Sequence, residues 1–92
     1  GMVLDYSPEA IEGRIFFDVP RNVRSDEIRA LLEPFGPIIE FSIKSTFDGG
    51  RVAFAKLQSN DAADEAVYLL NPAILGSGLV RVRRAVYWAR SR

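Results

Sequence analysis

The chain has 92 residues, 48% of them hydrophobic and 26% charged, with 5 Pro and 7 Gly, a composition that fits one folded domain with one core and excludes a disordered tail. It has no Cys and no His, which removes disulfides, thiolate metal sites and the commonest general base, so neither catalysis nor a metal or cofactor is expected. The formal net charge is +0, but every acid precedes residue 66, whereas Arg81, Arg83, Arg84, Arg90 and Arg92 crowd the C-terminal end, which is therefore the basic pole.

Taken in chain order, residues 1–12 form an acidic arm. It begins with Gly1 ahead of Met2, which looks like a cloning remnant, and contains Ser7-Pro8-Glu9-Ala10-Ile11-Glu12, a pattern suited to a short capped helical turn with Pro8 at its first position. Nothing in the arm reads as a signal peptide, and no apolar run is long enough to span a membrane. Arg14 to Val19 is an aromatic-rich strand closed by Pro20. After a loop, Ser25 can cap a helix with Asp26 and Glu27 in its first turn; Ile28, Leu31, Leu32 and Phe35 share one face, and Pro34 and Gly36 end it.

From Ile39 the next strand alternates, with Ile39, Phe41 and Ile43 on one side and Glu40, Ser42 and Lys44 on the other. Asp48-Gly49-Gly50 marks a hairpin turn, and Arg51 to Leu57 is the returning strand. Ser59, Asn60 and Asp61 offer caps for a second helix whose apolar face carries Ala63, Ala66, Val67 and Leu70 and which Asn71-Pro72 stops. Leu79 to Val86 then alternates again, burying Val80 and Val82 and exposing Arg81 and Arg83. The order strand, helix, strand, strand, helix, strand predicts an α+β, ferredoxin-like βαββαβ sandwich: a four-stranded antiparallel sheet with two helices on one face and the other face open.

The stretch Val19 to Gly36, VPRNVRSDEIRALLEPFG, resembles the RNA-recognition-motif (RRM) family, and the likeness extends over residues 13–86, with 87–92 left as a basic, aromatic C-terminal extension. The resemblance implies a non-enzymatic, intracellular module of RNA processing that binds single-stranded RNA by stacking bases on aromatics of the two central strands. Aligned without gaps from Pro20, the first-strand motif covers Arg14 to Val19 and places Ile15 and Phe17 outward with Phe16 in the core; a one-residue shift would instead expose Phe16. The third-strand motif covers Gly50 to Leu57, with Val52, Phe54 and Lys56 outward and Ala53, Ala55 and Leu57 inward. Ile15 and Val52 stand where the family usually carries aromatics, so Phe54 is the one stacking residue kept in place.

The expected RNA contacts are Phe54, Phe17, Ile15, Val52, Arg51, Lys56, Lys44, Arg81 and Arg83. Tyr87 and Trp88 serve either as a lid over a bound base or as ordinary apolar cover. Two alternatives accompany that reading. The apolar substitutions at Ile15, Phe17 and Val52 suit a protein-interaction or homodimerisation surface. A loop-reading subtype, as in quasi-RRMs, would use Arg21, Asn22, Arg24 and Phe47 instead. An acylphosphatase-like hydrolase of the same fold class would need a glycine-rich, Arg-bearing loop after the first strand, and Pro20-Arg21-Asn22-Val23 does not supply it.

Overall fold

A computed structural model describes residues 1–91, apart from the Ser91 side chain; Arg92, the last of the basic-pole arginines, lies outside the described residues. Strand β1 (Met2–Asp5) and the short helix α1 (Pro8–Ile11) precede β2 (Arg14–Asp18), α2 (Ser25–Leu32) and a 3-10 turn, Glu33–Phe35. Then come β3 (Ile38–Ser45), β4 (Arg51–Leu57), α3 (Asn60–Leu69), β5 (Ala73–Leu75), β6 (Gly78–Val80), β7 (Arg83–Arg84) and β8 (Trp88–Ser91). The principal sheet is antiparallel in the order β3-β4-β2-β7, with α2 and α3 on one side of it, the ferredoxin-like α+β arrangement.

Between that sheet and the helices lies a core of Ile15, Phe17, Ile28, Leu32, Ala53, Ala55, Leu57, Ala63, Ala66, Val80 and Val82, each no more than 3% exposed. Each large apolar side chain in it contributes about 1.5–3 kcal/mol by leaving water. The small residues Ala53, Ala55, Ala63 and Ala66 bring α3 close onto β4. Two helix starts follow the capping chemistry of the sequence: Ser7 Oγ accepts from the Ala10 N–H at 3.3 Å ahead of Pro8, and Ser59 Oγ accepts from the Ala62 N–H at 3.1 Å. In α2 the cap is Arg24, whose N–H is received by the Glu27 carboxylate at 3.4 Å, so Ser25 is the first helical residue rather than the cap.

Three expectations are corrected. In β2 the alternation runs one residue out of phase with the motif alignment: Ile15 and Phe17 are each 1% exposed in the core, and Phe16 faces the open side. In β3 a bulge between Ile38 and Glu40 ejects Ile39, 55% exposed, and gives its inward place to Ile38; Phe41 and Ile43 keep theirs. The expected last strand is broken, because Gly78–Val80 pairs with Ala73–Leu75 as a separate hairpin and only Arg83–Arg84 joins the sheet beside Ile15 and Phe16.

The two ends of the chain pair with each other. β1 and β8 form an antiparallel ribbon, Met2 opposite Ser91 through Asp5 opposite Trp88. Asp5 secures the ribbon twice, accepting the Ser7 N–H at 2.9 Å and pairing with Arg90 at 3.3 Å; the Ser7 hydrogen bond first, and Arg90 after it, hold the Asp5 carboxyl below its ordinary value. Gly13 connects α1 to β2 at φ +68°, where the Leu57 carbonyl oxygen lies 2.2 Å from where a β-carbon would stand, so this close crossing requires glycine.

Candidate nucleic-acid interface

The register of β2, β3 and β4 lays the open-face side chains out in rows. Ser42, Phe54 and Phe16 stand side by side, with Arg83 of β7 completing the row. Lys44, Val52 and Asp18 form the row on one side of it, and Glu40, Lys56 and Arg14 the row on the other. Phe16 and Phe54 are half-buried, their rings 6.4 Å apart between centroids and inclined by 24°. Both rings line the open groove and offer it apolar aromatic surface on which a base can stack.

The Arg14 row is closed. Arg14 is only 8% exposed; its guanidinium lies 3.6 Å from the centroid of the Trp88 ring, donates through Nε to the Ala10 carbonyl at 2.8 Å, and pairs with Glu40 at 2.5 Å. This explains the phase of β2: an arginine at an inward position would bury an uncompensated charge, whereas outward it finds an aromatic face, a carboxylate and a carbonyl. The terminal ribbon is thereby anchored over one end of the sheet, and Met2, Tyr87, Trp88 and Ala89 wall a groove of about 780 Å³ floored by Phe16, Phe54 and Val52. That size falls within the ordinary range of ligand sites.

The cations on the groove and on the recess beside it stand outside the ion pairs of the described residues. Among the described residues Lys44, Lys56, Arg81 and Arg83 have no ion-pair partner. Arg84, by contrast, turns to the helix side, donating to Asp64 and to Asn60, each at 2.6 Å.

The expected contacts thus divide. Phe54, Val52, Lys56 and Lys44 line the groove, as do Tyr87 and Trp88, and Arg83 stands beside Phe16. Ile15 and Phe17 are withdrawn into the core, and Arg51 is turned aside to the first loop, donating to the Val23 carbonyl at 2.7 Å and the Pro20 carbonyl at 3.4 Å. The one-residue shift that exposes Phe16, the alternative to the motif alignment, is the phase observed, while Arg14 as the anchor of Trp88 was missed. The available signal was Arg14 itself, whose charge is out of place facing a core. Of the loop residues, Phe47 projects fully at the β3–β4 turn, while Arg24 lies against Asp26 and Glu27.

The RNA recognition motif family model matches residues 17–81, which is more than half of the chain. The chain belongs to the RNA recognition motif family. Membership in this RRM family supports RNA binding as its general activity. No curated protein matches the chain. Among solved structures it is similar to the RRM3 domain of Mip6, at 18% identity and a TM-score of 0.74, covering 86% of this chain and 100% of that one. It is also similar to the Sxl-lethal protein–RNA complex, at 28% identity and a TM-score of 0.69, covering 86% of this chain and 52% of that one. The Rna15 RRM with bound RNA (GU) aligns at 22% identity and a TM-score of 0.66, covering 78% and 81% of the two chains.

Among the described residues no cluster of three His, Cys, Asp or Glu side chains is placed to hold a metal ion, and no helix is long and apolar enough to cross a membrane.

Proposed function

We propose that this RRM binds single-stranded RNA on the open sheet face, one base stacking on Phe16 and a neighbouring base on Phe54. Lys44, Lys56 and Arg83 neutralise the flanking phosphates, and the Tyr87–Trp88 segment forms the wall against which the bound strand packs. The observation that carries this reading is the pair of aromatic rings lining the groove, 6.4 Å apart, beside Lys44, Lys56 and Arg83, which have no ion-pair partner among the described residues. A duplex offers no free base faces to such rings, whereas a single strand does. The solved relatives that carry RNA in their descriptions, the Sxl-lethal protein–RNA complex and Rna15 with GU, favour the same partner.

The test is fluorescence anisotropy with short mixed-sequence RNA at two salt concentrations. Phe16→Ala and Phe54→Ala each weaken binding by about 1–3 kcal/mol, roughly 5- to 150-fold in Kd. Lys56→Gln lowers affinity for all sequences alike and flattens the salt dependence by about 0.7 of a log–log slope unit. Unchanged affinity in both Phe variants would remove the sheet from the mechanism.

A protein partner or a second copy of the chain is a second reading. The apolar floor and the exposed Met2, Leu4, Tyr6, Val86 and Tyr87 around the ribbon favour it. Sedimentation across a concentration series distinguishes the two, since self-association through this face raises the mass and competes with RNA.

A further inference from the structure

Beside the main groove, where β7 meets β2, lies a smaller recess of about 130 Å³ lined by Phe16, Phe17, Asp18, Leu79, Arg81 and Arg83. Its floor is the edge of the Phe16 ring platform, and Leu79, 57% exposed, forms an apolar rim. Asp18 is the feature that a general phosphate-binding surface does not account for. It is exposed, on the open face of β2 opposite Val52, and its carboxylate has neither a hydrogen bond nor an ion pair among the described residues. A free carboxylate on a face that attracts a polyanion repels phosphate, so its place in an RNA site is to accept from a base.

Deepening the RNA-binding reading, on which it rests, we infer that this recess selects guanine at the nucleotide that stacks on Phe16. Guanine is the base whose Watson–Crick edge presents two adjacent donors, N1–H and the N2 amino group, which match the two oxygens of one carboxylate. Uracil and cytosine each present a single donor on that edge, as does adenine. The recess is too small for a whole nucleoside and suited to the edge of a base whose ring lies on Phe16. Arg81 and Arg83 flank the carboxylate and offset its charge toward the phosphates on either side. The β5–β6 hairpin, by carrying Leu79 to the edge of the sheet, closes the recess on its outer side. A polar group placed to meet a particular edge discriminates strongly against bases that leave it unmatched.

The experiment compares a short oligouridine with the same strand carrying one guanine at each position in turn, by anisotropy at fixed salt, for the unaltered domain, Asp18→Asn, Asp18→Ala, Phe16→Ala and Phe54→Ala. One guanine register binds roughly tenfold tighter than oligouridine, the size expected of a two-donor base contact. Replacing that guanine by inosine, which lacks the N2 amino group, loses most of the gain, while 7-deazaguanine, altered on the opposite edge, keeps it. Asp18→Asn and Asp18→Ala abolish the preference and leave oligouridine binding equal or tighter, since a negative charge has gone.

A preference that survives in Asp18→Ala, or a strand indifferent to guanine, overturns the inference. If oligouridine binding still falls in Phe16→Ala or Phe54→Ala, the sheet remains the RNA site and only the guanine selection fails; if neither variant changes it, the broader reading fails as well. Because Asp18 is exposed and makes no contact that folding needs, unchanged circular dichroism of its variants keeps both outcomes readable.

Discussion

The phase of β2 is open to a direct test, because it assigns opposite roles to two adjacent phenylalanines. Phe17 is 1% exposed within the core cluster that includes Ile15, Ile28, Ala63 and Val80, so Phe17→Ala removes a fully buried ring and leaves a cavity. Such truncations cost about 3–5 kcal/mol, a large part of the 5–15 kcal/mol that holds a small domain together. For a domain of this size each kcal/mol is worth about 4–8 °C in Tm, so the variant melts at least roughly 12 °C lower, or does not fold stably at 37 °C.

Phe16 is half-buried, and its main loss is the contact with Phe54 and the groove floor. An aromatic pair contributes about 0.5–1.5 kcal/mol beyond its buried area, and half burial adds about 1 kcal/mol, so Phe16→Ala costs roughly 1.5–2.5 kcal/mol, less than Phe17→Ala. Guanidinium denaturation followed by circular dichroism, with m compared between variants, measures both. Equal losses, or a larger loss for Phe16→Ala, would refute the assigned phase and with it the placement of Phe16 in the groove.

Other outcomes follow from the same contacts. Gly13→Ala forces a left-handed backbone on alanine and drives its β-carbon against the Leu57 carbonyl, so it destabilises by about 2 kcal/mol or more in the same denaturation assay. Trp88 is the single tryptophan, so its emission reports the ribbon alone; Arg14→Ala removes the cation at 3.6 Å, red-shifts that emission and raises acrylamide quenching while the far-ultraviolet spectrum persists. Asp48 is held below its ordinary value of 3.8, first by the Thr46 hydroxyl and then by the Gly50 N–H. A depressed folded-state value means that the turn is supported above pH 3.8 and loses that support as pH falls through the lowered value. In Thr46→Val the Asp48 carboxyl, followed by NMR, titrates at higher pH than in the parent.

Much of this arrangement is legible in residue order because it rests on local rules. The direction of Val52, Phe54 and Lys56 follows from alternation with Ala53, Ala55 and Leu57, small or apolar residues that can only face the helices. Ser7-Pro8 and Ser59 announce their helices by capping chemistry, and Asp48-Gly49-Gly50 announces the turn. The segment Arg14-Ile15-Phe16-Phe17 is different, since three consecutive apolar residues carry no period-two signal and either phase buries something apolar. Its phase is decided by Arg14, whose partners Trp88 and Glu40 come from distant parts of the chain, beside the Ala10 carbonyl four residues before it.

The ribbon was illegible for a related reason: β1 and β8 are four residues each, and their pairing joins opposite ends of the sequence. The broken last strand reflects the turn at Gly76, φ +62°, which folds Gly78–Val80 back on Ala73–Leu75 before Arg83 reaches the sheet.

The most direct measurement of the central claim is an NMR titration of the isotopically labelled domain with short single-stranded RNA. The largest amide and ring shifts are expected at Phe16, Asp18, Ser42, Val52, Phe54 and Arg83, with the Trp88 indole N–H moving as the groove fills. Shifts confined to residues 20–24 and 46–49, or to the outer surface of the helices, would contradict it.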